Sequence, residues 1–378
     1  MNKIFLPLVF LFAAACADKN LTPDIVKVFG RHSYEEYAPA RIQELLRTKG
    51  VDGLKLLDRR AGVVASGKIF KELPGGGSLS SGLLLWERGG GFYLAKVFRV
   101  SPGAAAGLRD GDRILEIDGV KVSSGAVSGL ARATKGFKLK VERRTLAGSE
   151  VIETELKKDV FSFPVIFGFY DPDTATAFVR IGMFFKGSSA TVAAGLDALS
   201  GLGAKKVIFD LRGNIGGLPD EAAGLLNGLA AKAGPVLEIK SRHKGYSRLF
   251  ESPGRGRFAA LQSVALVNSR TAMTAEVFAQ ALKDLRGAQI IGETTRGSVS
   301  ILKTFRVGTG GKGLNLTVAR LFPPSGKALE EKGVEPDLKV ELSGAQAEEL
   351  INSWAVSSET ALLADPIYAK AVEVLARH

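Results

Sequence analysis

The sequence has a single cysteine in 378 residues, Cys16, so no disulfide can form within one chain. Beyond its first residues it has no uninterrupted apolar run of membrane-spanning length, and it shows no internal repeat or low-complexity tract. It also lacks zinc-finger spacing, a helix-turn-helix pattern and an aromatic RNA-binding motif. We therefore expect a globular protein with no nucleic-acid partner, no metal site and no cofactor.

The net charge is strongly positive, at +12. A basic surface could suit an anionic membrane or acidic envelope polymers. The basic residues are, however, interspersed with acidic ones along the chain, which favours a solvated basic surface over a dedicated patch.

The N-terminus carries the features of a secretion signal. Lys3 precedes an apolar run at residues 4–15, and three alanines lead to Cys16. The cysteine after small residues resembles a bacterial lipoprotein signal, in which the cysteine is lipidated and becomes the mature N-terminus, although Ala13 stands where that signal usually has leucine. We predict a signal over 1–16, a lipid anchor at Cys16 and a place in the cell envelope (periplasm) of a bacterium. An ordinary cleaved signal peptide is the alternative.

The length predicts two or three folded units. Over residues 17–75 apolar side chains recur at helical spacing, which predicts a small helical N-terminal region. Three glycines at 75–77 then mark a boundary. From 159 to 342 strand and helix patterns alternate, which indicates an α/β core with a largely parallel sheet, and helices are predicted within 343–378.

Residues 79–158 contain short strand candidates and two motifs, SPGAAAGL at 101–108 and DGDRILEIDG at 110–119. Asp118-Gly119 in the second motif is a strong hairpin signal. Together the motifs resemble a PDZ domain, which adds an extended peptide to a sheet edge while a loop of N–H groups receives its terminal carboxylate. The resemblance implies that protein or peptide C-termini bind at Ser81, Gly82, Leu83 and Leu84. The alternative is that this strand is only core and the groove is vestigial.

The segment VIFDLRGNIGG at 207–217 predicts a buried strand that ends in a glycine-rich turn. Asp-Leu-Arg-x-Asn-x-Gly-Gly is a hallmark of the C-terminal processing (tail-specific) serine peptidase family, which the chain resembles over nearly its whole mature length. The resemblance implies an α/β peptidase core with an inserted PDZ domain, and an oxyanion hole built with backbone N–H groups of Gly216 and Gly217. Glycine lets the backbone approach a substrate closely, and donors near a helix start stabilise negative charge. A tight connection without function is the alternative.

The segment LVNSRTAMTAEV at 266–277 resembles the part of the family that carries the catalytic serine, and ungapped alignment places Met273 there. A thioether has no proton to lose and cannot form an acyl-enzyme. The lysine base of the family falls on Ser298 without a gap, or on Arg296 with a short deletion, and arginine stays protonated. Leu302 occupies the position of the glutamine that orients the lysine. The sequence thus predicts that the Ser-Lys dyad is absent.

These replacements lead to a first hypothesis, a non-catalytic pseudopeptidase that recognises peptides and acts as an adaptor or as a regulator of an active protease relative. The alternative is an active serine-type endopeptidase that cleaves envelope proteins near their C-termini with a rearranged pair, such as Ser298 or Thr274 with Lys303. In a third interpretation both the groove and the peptidase site are vestigial. His243 lies in a basic stretch outside these motifs and is predicted to be a solvated residue.

Overall fold

The computed structural model describes residues 21–65, 79–80, 83–88, 91–97, 101–123, 136–145, 148–157, 159–160, 166–308, 312–341 and 365–377. The chain divides into two compact units. The first unit comprises Met1–Ser66, Ser241–His243 and Ile301–Ala319. The second comprises Gly67–Lys240, Lys244–Ser300 and Arg320–His378.

In the described part of the chain the helices are α1 Thr22–His32, α2 Pro39–Lys49, α3 Pro102–Ala105, α4 Ser188–Gly201, α5 Pro219–Leu229, α6 Thr274–Arg286 and α7 Pro366–Ala376, with 3₁₀ turns at Val51–Leu56 and Lys244–Tyr246. None of the described helices is both long enough and apolar enough to cross a bilayer.

The strands are β1 Gly62–Ala65, β2 Leu79–Ser80, β3 Leu83–Arg88, β4 Gly91–Val97, β5 Arg113–Ile117, β6 Val120–Lys121, β7 Gly136–Thr145, β8 Gly148–Lys157, β9 Asp159–Val160, β10 Ile166–Asp171, β11 Thr176–Ile181, β12 Lys206–Asp210, β13 Gly234–Lys240, β14 Arg248–Ser252, β15 Gln262–Val267, β16 Gln289–Gly292, β17 Ser300–Val307, β18 Lys312–Phe322 and β19 Leu338–Lys339.

The first unit buries one face of each of its two N-terminal helices. Ile25 and Phe29 of α1 and Ile42 of α2 are almost fully buried and share a core with Leu314 and Leu316 of β18. Strand β1 pairs antiparallel with the start of β18. The helical spacing of the apolar residues predicted the two helices, whereas their packing against a strand about 270 residues away in the sequence left no local signal.

In the second unit, residues 83–157 form an antiparallel sheet in the order β3-β4-β5-β7-β8, with β6 paired to β5. Its core includes Leu94, Ile114, Leu139 and Leu156. The turn between β5 and β6 has positive φ at both Asp118-Gly119 positions, 51° and 75°, as a two-residue hairpin turn with the twist of the strands requires. The predicted mostly-β module is therefore confirmed.

A two-stranded ribbon closes this module. Leu79 of β2 pairs with Val160 of β9, and Ser80 pairs with Asp159, so the chain enters and leaves the module at neighbouring positions. The module is thus an insertion in the surrounding fold.

The central sheet of the second unit has the order β10-β11-β12-β15-β16-β19, in which β10 is antiparallel and the other strands are parallel. Helix α7 packs Ile367, Tyr368 and Ala371 into one core with Ile208 of β12 and Val264 of β15. These strands and helices alternate along the sequence, so the α/β core is confirmed.

Outside this sheet, β13 pairs antiparallel with β14 and with the last three residues of β18. The helix predicted over 343–355 lies outside the described residues, whereas the one predicted over 365–376 is α7.

Candidate active site

Strand β12 ends in a buried ion cluster that supports the glycine-rich turn. The guanidinium of Arg212 donates from Nε and Nη2 to the two carboxylate oxygens of Asp210, each at 2.9 Å, and its Nη1 lies 2.5 Å from Oδ2 of Asp365. Burial acts to raise the pKa of Asp210, but the charge and hydrogen bonds of Arg212, helped by Arg180, hold it below its usual value. Asp365 also caps α7 by accepting from Ile367 N–H at 2.9 Å. The cluster ties the C-terminal helix to the turn.

The two glycines of the turn are confined by backbone on both sides. Gly216 has φ 104° and Gly217 φ 124°, which only glycine adopts readily. A Cβ on Gly216 would lie 2.4 Å from Cβ of Met273, and one on Gly217 would lie 2.2 Å from the carbonyl oxygen of Phe184. Asn214 holds the turn by accepting from Gly216 N–H at 2.8 Å and donating to Ile181 O at 2.9 Å. These close approaches leave no room for a side chain at either position, which explains why both residues are glycine.

Met273 occupies the sharp turn that leads from β15 into α6. Its φ of 57° and ψ of −127° are rare for a residue with a side chain. The turn persists because Met273 N–H donates to two acceptors, Oε2 of Glu276 and the carbonyl oxygen of Ser298, both at 3.0 Å. The methionine side chain is half-buried. A strained turn next to a glycine pair is thus present, with a thioether at its apex.

Glu276 is a buried carboxylate that organises the loop at 295–298. Its oxygens accept from Thr295 Oγ1 at 2.5 Å, Gly297 N–H at 2.6 Å and Ser298 N–H at 2.9 Å, besides Met273 N–H. Burial raises the pKa of Glu276, and these hydrogen bonds oppose the rise without cancelling it. One carboxylate therefore fixes the Met273 turn and the neighbouring loop together.

The structure brings the predicted dyad positions into contact through their backbones. Ser298 lies beside Met273 by the hydrogen bond described above, and Arg296 N–H donates to Thr271 O at 3.0 Å. Sequence alignment alone placed these positions opposite each other, and the folded chain has them as neighbours. In the part of the chain that is described, no group of three or more His, Cys, Asp or Glu residues could hold a metal ion.

The nearby threonine hydroxyls are committed to the backbone. Thr274 Oγ1 donates to Gly217 O at 2.8 Å, and the buried Thr271 Oγ1 donates to Leu211 O at 2.9 Å. Lys303, the base considered in the alternative mechanism, belongs to the first unit, where its Nζ lies 5.6 Å from the ring centre of Phe305. A hydroxyl that already donates its proton to a carbonyl is poorly placed to act as an activated nucleophile.

Two backbone N–H groups at this site make no hydrogen bond to any described residue, those of Gly217 and Thr274. The Thr274 nitrogen lies beside the glycine pair, since a Cβ on Gly216 would be 3.0 Å from it, and it is in the first turn of α6. The N–H of Gly216, in contrast, is taken by Asn214. The sequence analysis considered Thr274 only for its hydroxyl and missed its backbone N–H, although its position at a helix start, directly after the family's serine position, was a usable signal.

The PDZ edge is described in part. Ser81 and Gly82 lie outside the described residues. Leu83 and Leu84 begin β3, which pairs with β4 on one side and with no described strand on the other. Leu83 packs against the core of the module. Strand β3 is thus an edge strand of the kind to which an extended peptide can add.

Fold and site together define an α/β core of the peptidase type that carries a PDZ module. Residues 175–340 match the model of peptidase family S41, and residues 74–142 match that of the PDZ domain. The sequence motifs predicted both of these resemblances, and the two family models confirm them over these residues. The PDZ sheet of this chain continues beyond the matched segment, because β8 pairs with β7 over its whole length.

The carboxy-terminal processing protease CtpA of Bacillus subtilis is 29% identical over 278 residues, which cover 73% of this chain and 59% of that protein. The carboxyl-terminal-processing protease of Synechocystis is 31% identical over 247 residues, 64% of this chain and 57% of that protein. The chain spans about three fifths of the length of these relatives. The structure of a photosystem II D1 C-terminal processing protease has the same fold, with TM-score 0.64 and 20% identity over 90% of this chain and 97% of that one.

Proposed function

We propose that this protein is a non-catalytic member of its family that captures extended peptides or protein C-termini with its PDZ domain, as an adaptor or as a regulator of an active protease relative. It resides in the bacterial cell envelope. Relatives are named as proteases, so the proposal concerns what this chain has lost as well as what it keeps.

The observation that carries the loss of activity is Met273 at the apex of the strained turn. The turn, the glycine pair and the Glu276 network are all present, so methionine stands in a place that is otherwise built for a nucleophile. The hydroxyls of Thr271 and Thr274 donate to carbonyl oxygens instead. Nucleophilic catalysis needs a hydroxyl or thiol with a base within hydrogen-bond reach.

Support for peptide capture comes from the PDZ module. Among the described strands of its sheet, β3 lies at one edge, and Leu83 of that strand packs against the core of the module. Addition of a strand there supplies main-chain hydrogen bonds, and the terminal carboxylate adds charge-assisted ones.

The test combines binding and turnover on the same preparation. A peptide with an apolar C-terminal residue and a free carboxylate should bind about tenfold or more tightly than its C-terminal amide, since hydrogen bonds to a charged group contribute about 1.5–3 kcal/mol. No cleavage of that peptide or of an unfolded protein should be detected. Turnover that disappears in Ser298→Ala or Thr274→Val would support the rearranged endopeptidase. Absence of both binding and turnover would favour vestigial sites.

The envelope location and the anchor at Cys16 rest on the signal-like N-terminal sequence. In a bacterial host grown with labelled palmitate, the full chain should incorporate label and fractionate with membranes. Cys16→Ser should remain unlabelled. An unlabelled full chain that is released from the periplasm would indicate an ordinary signal peptide instead.

A further inference from the structure

Strand β17 lies at the edge of its sheet. It pairs with β18 and with no other strand in the described part of the chain. Its sequence, SILKTFRV, contains no proline, glycine or acidic residue, and its β-branched and aromatic side chains favour extended backbone. The outer side of an edge strand offers backbone N–H and C=O groups to any extended chain that lies beside it. Neither the peptidase site nor the PDZ module uses this strand.

The strand is held in place by its own unit. Val307 is buried in the core that contains residues of α1, and Phe305 packs against that core and stacks on His32 with 4.4 Å between ring centres. Thr304 Oγ1 donates to Oδ1 of Asn315 on β18 at 2.6 Å. The strand is therefore extended and fixed before any partner arrives, which lowers the entropic cost of binding.

The other face of β17 is open to solvent. Leu302, Thr304 and Arg306 alternate along the strand, and all three are exposed. The exposed fraction of Leu302 is 47%, so a leucine side chain is left largely in water beside the edge. A chain that adds to this edge removes part of that apolar surface from water, which favours association.

The pattern of β17 is complementary to itself. Residues 301–307 of the strand belong to the first unit, and Thr304 is at their middle. When such a strand pairs antiparallel with a copy of itself about a two-fold axis, residues at equal distances from the middle face each other. The facing pairs are Ile301 with the partner's Val307, Leu302 with the partner's Arg306, Lys303 with the partner's Phe305, and Thr304 with the partner's Thr304.

Each of these facing pairs is favourable or neutral. The two basic side chains both face uncharged ones, so no like charges lie directly opposite each other. Lysine over an aromatic ring is a cation–π pair, and the stem of an arginine covers a leucine while its charge stays in water. Two β-branched side chains at each end pack well across strands. The charge pattern therefore favours a second copy of this chain as the partner.

The long edge strand of the PDZ module, β8, shows the contrast. Its sequence carries three glutamates and one lysine, at Glu150, Glu153, Glu155 and Lys157. Net negative charge on an edge strand opposes pairing with a second copy, which is how exposed edges are commonly protected. Strand β17 has no carboxylate, and its two basic residues repel a strand with cations at the facing positions but not its own copy.

We propose that two copies of this protein associate by antiparallel pairing of their β17 strands, with a two-fold axis at Thr304. The pairing joins the two sheets in the local order β18-β17-β17-β18. An isologous contact of this kind closes after two copies, so it gives a dimer and not a filament. A contact built on one strand is small, which makes the dimer weak and dependent on protein concentration.

Sedimentation equilibrium tests the association. The full chain with Cys16→Ser, which removes the predicted lipid anchor, should show a reversible monomer–dimer equilibrium. Each copy carries a net charge of +12, so added sodium chloride should screen the repulsion and tighten the dimer. A chain that stays monomeric at every protein and salt concentration, or that forms larger assemblies without limit, overturns the proposal.

A disulfide tests the position of the axis. Thr304→Cys combined with Cys16→Ser leaves one cysteine in the chain. Facing residues on paired strands have Cα atoms about 4.5–5.5 Å apart, within the disulfide range of about 4.4–6.8 Å. Mild oxidation should link two copies at least about tenfold faster than in the control Thr48→Cys on the exposed side of α2, because pairing raises the effective thiol concentration. Equal rates contradict an axis at Thr304.

A charge exchange tests the register. Leu302→Lys places a lysine opposite the partner's Arg306 and should weaken the dimer about two- to thirtyfold, since two such like-charge pairs form. Adding Arg306→Glu to the same chain turns both pairs into attractive ones and should restore the affinity. Both positions are exposed, and circular dichroism checks that each variant is folded. If Leu302→Lys dimerises like the wild type, or if the second change restores nothing, the pairing proposed is wrong.

Discussion

Gly216 and Met273 are packed so closely that a Cβ on the glycine would lie 2.4 Å from the Cβ of the methionine. The contact joins the turn after β12 to the turn before α6, the two chain segments that a peptidase of this family needs side by side. This chain keeps the approach while carrying a residue that cannot perform the reaction. The close approach of the two turns is therefore compatible with a thioether side chain at position 273.

Gly216→Ala should destabilise the protein by about 2–4 kcal/mol, through a positive φ of 104° and overpacking against Met273. Urea unfolding measures the change. Gly195→Ala within α4 is the matched control, because nothing lies within 4 Å of the added methyl group and alanine favours helix by about 1 kcal/mol. Equal effects at the two positions would contradict the close approach.

Met273→Ser alone should react only slowly with a fluorophosphonate, since the family's base position carries Ser298 or Arg296. Met273→Ser combined with Ser298→Lys restores a hydroxyl and an amine to positions that adjoin through the backbone. The double variant should react with the fluorophosphonate at least about 100-fold faster than Met273→Ser, because general-base assistance contributes about 100-fold at the lower end of its usual range. Mass spectrometry of the labelled peptide locates the adduct, and reaction of the single variant at the same rate would exclude Ser298 as the base position.

Asp365→Asn should lower the free energy of unfolding by about 3 kcal/mol or more, because it removes one of two carboxylates around the buried Arg212 guanidinium. Asparagine can still cap α7, so the loss reports the ion pair and not the helix start. Asp52→Asn, which breaks the exposed pair with Lys55, should change the free energy of unfolding by less than about 1 kcal/mol. A small effect of Asp365→Asn would show that Asp210 suffices for Arg212.

The raised pKa of Glu276 predicts the direction in which the stability of the protein changes with pH. Its pKa is above the ordinary 4.5 in the folded state, so its ionisation costs more in the folded than in the unfolded protein. The stability contributed by its protonated form is complete below pH 4.5 and is lost as the pH rises through the folded-state pKa. The difference in free energy of unfolding between wild type and Glu276→Gln should therefore shrink as the pH rises from 4.5, measured by urea unfolding at several pH values.

Glu221 serves as a control for Glu276, because its pKa is lowered rather than raised. Burial acts to raise its pKa, but hydrogen bonds from Ser189 and from the N–H of Gly187 outweigh burial and lower it. Its contribution is present above pH 4.5 and is lost as the pH falls through the folded-state pKa. The wild-type advantage over Glu221→Gln should grow as the pH rises toward 4.5 and then stay constant. If both differences change in the same direction, the assignment of the Glu276 pKa is wrong.

Local patterns in the sequence predicted much of the fold. Asp118-Gly119 marked a hairpin, and the apolar run 207–211 marked a central strand, because turn chemistry and burial on both faces leave short-range signatures. Strands β13 and β14 were not predicted. Strand β13 mixes buried Leu237 with half-exposed Glu238 and Lys240 and begins at a glycine, so it offers neither a clean alternation nor an apolar run.

At the site, sequence motifs identified the positions but not their hydrogen-bonding state. Alignment could place Met273 and Ser298, because motif spacing is read directly from the sequence. It could not show that Asn214 accepts the N–H of Gly216 or that the N–H of Thr274 makes no hydrogen bond to a described residue. Such facts depend on φ and ψ of individual turns, which spacing does not encode.

The ribbon of β2 and β9 gives the PDZ module a particular evolutionary freedom. Ser80 and Asp159 are paired across two strands, and such residues lie only about 5 Å apart, a gap that a two-residue turn can bridge. A genetic event that removes or exchanges the sequence between them leaves the ends of the host fold where they were. Recognition and scaffold can thus be inherited as interchangeable parts, and a single recombination step can replace the PDZ module while the host fold stays unchanged.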